Sequence, residues 1–151
     1  MRQLRVLPMV LAMSVGLFAA ESPFTGTWKL NVDKSRVPPP PAKSELVVVD
    51  ADDNGLKLTD DIVDDKGQPL KISYEVKFDG KDYPVTGDPN SDAISFQRMN
   101  ANTLKATAKK GGKVTTKATV VVSKDGKVTT VNFTDYTQAK PAKGAAVYDK
   151  Q

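Results

Sequence analysis

The chain contains neither cysteine nor histidine. Without cysteine there is no disulfide framework, no thiolate metal site and no thiol for lipid attachment at a processing site. Without histidine the commonest general base and the commonest metal ligand are both gone, which closes most routes to hydrolytic chemistry. The sequence also lacks a nucleophile elbow, a phosphate-binding glycine loop and a metal-ligand cluster. Enzyme activity is therefore not expected, and neither are a cofactor and a metal. After residue 20 there is no apolar run approaching the roughly 20 residues that span a bilayer, and no convincing amphipathic helix.

Charge of one sign is scarce in excess. The 151 residues carry 22 basic and 18 acidic side chains, and two of the basic ones, Arg2 and Arg5, lie at the extreme N-terminus. The remainder is close to balanced, and no aromatic residues interleave with its lysines, so a nucleic-acid partner is not expected. Hydrophobic content of 39% is enough for a packed core. Length and the lack of internal repeats point to one domain.

The N-terminus has the layout of a secretory signal peptide. Met1 to Arg5 is positively charged, Val6 to Ala20 is mostly apolar, and Phe18-Ala19-Ala20 precedes Glu21. The apolar run is too short for a permanent membrane anchor. Phe18 stands where processing prefers a small residue, so export is better defined than the cut position. The expectation is a signal peptide over 1–20 and an exported domain over 21–151, monomeric, in the periplasm or secreted.

From residue 21 onward the period is two. In Leu70 to Asp79, Ile72, Tyr74, Val76 and Phe78 fall on one face and Lys71, Ser73, Glu75 and Lys77 on the other, as in a half-buried strand. Lys113 to Ser123 repeats the pattern. Further strands are predicted at Gly26 to Asn31, Ser44 to Asp50, Leu56 to Asp64, Ala93 to Asn100, Thr103 to Lys109, Lys127 to Tyr136 and Ala146 to Lys150. Turn signals separate them, among them Asn54-Gly55, Lys66-Gly67, Asp79-Gly80, Gly111-Gly112 and Asp125-Gly126. A meander of this length must hide its edges. The expected solution is an all-β, antiparallel up-and-down barrel of about eight or nine strands, with an open sandwich as the alternative. Pro38 to Pro41 cannot join a central strand, so Val32 to Lys43 is expected along the outside or across one end.

The segment Ser22-Pro23-Phe24-Thr25-Gly26-Thr27-Trp28-Lys29-Leu30-Asn31 resembles the opening of the lipocalin and fatty-acid-binding superfamily. There a Gly-x-Trp element starts the first strand and its indole closes the barrel's base; the matching residues are Gly26, Thr27 and Trp28. With Asp33-Lys34-Ser35, the stretch Asp79 to Gly87 and the tail Val147 to Gln151, the chain looks like short exported bacterial lipocalin-like proteins. That resemblance implies a fold and an address but no ligand or reaction. In ordinary lipocalins a basic residue stacks on the tryptophan. Arg98, on the face of Ile94 and Phe96, is the candidate here, and such a contact contributes about 0.5–2 kcal/mol. The lipocalin Thr-Asp-Tyr element occurs at Thr134-Asp135-Tyr136, too near the end of the chain for the strands that should follow, and is taken as coincidence.

Asp50 to Gly55 matches the opening of an EF-hand loop, with Asp61 at the twelfth position, but its flanks are strands, so an acidic hairpin turn is expected, with a weak surface calcium site of Asp50, Asp52 and Asn54 as the alternative. Asp60, Asp61, Asp64 and Asp65 are expected as exposed, solubilising residues. Lysines between Lys105 and Lys127 are expected to make a basic face. The inward aromatics Trp28, Tyr74, Phe78 and Phe96, with Arg98, are the candidate ligand contacts. A barrel of this size either fills with side chains or encloses one small ligand, and small inward residues (Ala106, Ala108, Thr116, Ala118) favour some free volume. The favoured function is a carrier of a small hydrophobic ligand; the alternative is a non-catalytic structural or interaction protein of the cell envelope.

Overall fold

The computed structural model describes residues 21–151; the expected signal peptide, residues 1–20, lies outside them. Ten strands follow one another in antiparallel order: β1 (Gly26–Leu30), β2 (Ser44–Ala51), β3 (Gly55–Val63), β4 (Pro69–Lys77), β5 (Tyr83–Thr86), β6 (Ala93–Asn100), β7 (Thr103–Lys110), β8 (Lys113–Val122), β9 (Val128–Asp135) and β10 (Ala142–Lys150). Each pairs with its neighbours in sequence, and β1 pairs with β10, so the sheet closes into an up-and-down barrel with no free edge.

The barrel has more strands than the eight or nine expected because β5 was hidden. It is four residues long and carries Pro84, which removes one ladder donor, and it is held by two residue pairs on each side. The last strand is also longer than expected, starting at Ala142 instead of Ala146. Gly144 permits this: a Cβ there would run into the Phe133 ring and the Arg36 carbonyl. The proline-bearing segment begins alongside β10. Asn31 N donates to Val147 O, Arg36 N to Ala145 O and Ala145 N to Arg36 O, at 2.7–2.8 Å. It then returns to β2 at the end of the barrel where β3 finishes.

Up-and-down connectivity gives the barrel two distinct ends. One holds the β2–β3, β4–β5, β6–β7 and β8–β9 turns and is plugged from within. Phe24 and Trp28 are 4% and 3% exposed, and the indole Nε1–H donates to the Phe24 carbonyl at 3.0 Å. Thr25 fastens the plug, its hydroxyl accepting from Ala51 N and donating to Ala51 O. Around it lie Val49, Leu56, Val76, Phe96, Leu104 and Val122, all buried; burial of such side chains stabilises by about 1.5–3 kcal/mol each. The other end carries the β1–β2, β3–β4, β5–β6, β7–β8 and β9–β10 connections.

Candidate functional site

Above the plug the barrel is not filled. A cavity of about 300 Å³ occupies its interior, at the low end of the ~300–1,000 Å³ typical of small-molecule sites. The space exists because small residues face each other across three strands: Ala106 pairs with both Phe96 and Ala118, and Ala108 pairs with Thr116.

The walls divide by chemistry. Toward the plug they are apolar, with Trp28, Leu56, Phe96 and Leu104, and Tyr74 tilted against Phe96 at a centroid distance of 5.8 Å. Toward the open end they carry Glu45, Asp60, Asp88, Ser91, Tyr74 and Tyr148. The topology gathers these residues: Glu45 stands near the start of β2, Asp60 near the end of β3, and Asp88 and Ser91 in the β5–β6 loop. Tyr148 donates its hydroxyl to Glu45 Oε1 at 2.7 Å, and the Ser91 hydroxyl donates to Asp88.

Burial, followed by the neighbouring charge of Glu45 and a hydrogen bond to it, pushes the Asp60 carboxyl up to about 9. As a carboxylate, its Oδ1 is buried without a donor. As a carboxylic acid Asp60 carries no charge at neutral pH, which lowers the cost of its burial. The Tyr74 and Tyr148 phenols are pushed up as well, first by burial and then by these carboxylates.

Of the candidate contacts read from sequence, Trp28, Tyr74 and Phe96 line the cavity together. Phe78 lies beside it, packed on Phe96 with centroids 6.5 Å apart. Arg98 is not in the lining. Its guanidinium turns outward to the Asn100 carbonyl and to Asp53, whose carboxylate is 3.4 Å away. The cation over Trp28 is instead Lys150, with Nζ 5.7 Å from the ring centroid, because β1–β10 pairing places Lys150 directly opposite Trp28.

Two acidic segments also resolve. In the loop with an EF-hand-like opening, Asp52 Oδ1 accepts from Asn54 N and Gly55 N as a hairpin turn, while Asp61 sits along β3 beside Lys71. Of the four aspartates expected to be exposed, Asp61 faces outward and Asp64 accepts from Lys66 N and Gln68 N, but Asp60 points into the cavity. Glu45, Asp88 and Tyr148 were likewise not singled out from sequence. The signal for Asp60 was present in its parity: Leu56, Leu58, Asp60 and Ile62 share one face of β3. Thr134-Asp135-Tyr136 ends β9, where Asp135 Oδ1 accepts from Thr137.

No protein-family model matches the chain, and no curated protein matches it significantly.

Proposed function

We propose that this is an exported, lipocalin-like carrier that holds one small, largely apolar molecule inside its barrel without covalent chemistry. The unfilled cavity behind a plugged base carries this reading. Its support is specific to the fold: a Gly26-Thr27-Trp28 opening of β1, an indole buried at the base, and aromatic walls from Tyr74 and Phe96. A closed barrel has no edge with which to recruit a partner strand, so recognition by strand addition is closed to it.

Native mass spectrometry of the purified protein, together with titration of the Trp28 fluorescence by small apolar compounds, tests this. A stoichiometric adduct or saturable quenching is expected. A clean apo mass with no fluorescence response to any of them would shift the function to the outer surface of the barrel.

A further inference from the structure

The polar groups of the cavity are one-sided. Three carboxyl groups, Glu45, Asp60 and Asp88, face it from β2, β3 and the β5–β6 loop, and among the described residues neither lysine nor arginine lines it. Buried carboxyls are retained where a cation or a donor meets them, since unpaired they oppose folding. Among the described residues Tyr148 donates to Glu45, and the Ser91 hydroxyl and Asn90 N donate to Asp88, which leaves the Asp60 Oδ1 as the carboxyl oxygen without a partner. Deeper in the wall, Thr129 is 8% exposed and its hydroxyl has no partner. Polar atoms facing the empty space without partners mark a volume built for something that brings its own hydrogen bonds.

The sign of the missing partner follows from the walls. A ligand with a carboxylate head would meet three acids and no compensating cation. A bare metal ion is not accommodated, since no group of acidic side chains among the described residues is arranged to hold one. A protonated amine fits on both counts: it carries positive charge and up to three donors, and its apolar body would lie against Trp28, Tyr74 and Phe96.

Resting on the carrier reading, we propose that the cavity selects amphipathic ammonium compounds, an apolar body with a single protonated amine, held at the nitrogen by Asp60 and Glu45, with Asp88 adding negative charge to the same wall. The Asp60 Oδ1, buried without a partner in the empty barrel, is the acceptor that the ammonium would meet.

The test compares three ligands of equal chain length, octylamine, octanol and octanoate, by Trp28 fluorescence at pH 7, on protein purified after expression of the full 151-residue chain. Octylamine is expected to bind at least tenfold more tightly than octanol, with octanoate weakest. Asp60→Asn is expected to weaken octylamine about tenfold and leave octanol unchanged, which also shows that the variant is folded; Glu45→Gln should act in the same direction. Octanol or octanoate binding as well as octylamine, or octylamine binding unaffected by both substitutions, overturns the ammonium proposal while leaving a carrier. A response to calcium chloride alone that displaces octylamine overturns it in favour of a metal ion. No binding of any of the three overturns the carrier reading itself.

Discussion

Asp60 is held in a place where its charge is unwelcome from several directions. Burial comes first, then Glu45 from β2, with Asp61 next to it in the chain and Asp88 from the β5–β6 loop. The consequence for stability has a definite sign. In the unfolded chain Asp60 releases its proton near its ordinary value of 3.8; in the barrel it keeps it to about 9. Between those values the native state binds the extra proton, so stability falls as pH rises through this window and levels off above it. Asn mimics the neutral acid. Thermal melts of Asp60→Asn are expected to show a flatter pH dependence than the parent, and a melting temperature higher by about 4 °C at pH 8, equivalent to roughly 1 kcal/mol. A parent protein whose melting temperature rises from pH 5 to pH 8 by more than that of the variant would contradict this placement of Asp60.

Among the elements, β5 is the weak seam. Its pairing is two residues deep on each side, against eight or nine for β2–β3 and β3–β4. The loop after it compensates by anchoring elsewhere: Asp92 N donates to Lys109 O, Lys110 Nζ to Pro89 O and Gly111 N to Asp92 Oδ2, all at 2.8–2.9 Å. Gly87 makes the turn out of β5 with φ of +90°, and a Cβ there would collide with the Lys71 carbonyl. Gly87→Ala is therefore expected to cost about 2–4 kcal/mol in denaturant unfolding, more than the alanine preference alone would allow. In native-state hydrogen exchange the β5 amides should open before those of β3 or β8.

The same element shows where sequence reading stops. The alternating runs of β4 and β8 were legible because one face is apolar and the other charged. In β5 the short length and Pro84 erase that contrast, and its pairing becomes visible only once β4 and β6 flank it. Trp28, Tyr74 and Phe96 could be placed on inward faces strand by strand. The acids could not be recognised as a group, because Glu45, Asp60 and Asp88 lie on separate segments and converge only through barrel closure. The Arg98 assignment failed for a related reason: which cation covers Trp28 is set by β1–β10 register, a pairing between the two ends of the chain.

At the scale of the molecule, stability and capacity are set against each other. A barrel that keeps about 300 Å³ unfilled forgoes the packing contacts that larger side chains would make there. Ala118→Leu, in the cavity wall across β7 from Phe96, is expected to leave the fold intact, to raise unfolding stability by about 1 kcal/mol as the side chain enters the void, and to abolish the fluorescence response to small ligands. Loss of ligand binding accompanied by loss of folded structure would instead mean that the space at Ala118 is already taken.

The seam that closes the barrel runs through its single tryptophan. Trp28 pairs with Val47 on β2 and with Lys150 on β10, and the backbone N–H of Gln151 donates to the Thr27 carbonyl at 2.9 Å. Every other neighbouring pair can zip up locally as a hairpin, whereas this one joins residues from opposite ends of the chain and bears the largest loop-closure cost. The indole therefore keeps time for the molecule. Its emission should stay that of a water-exposed ring while the meander assembles, and change in a late, discrete phase when the ring of strands shuts.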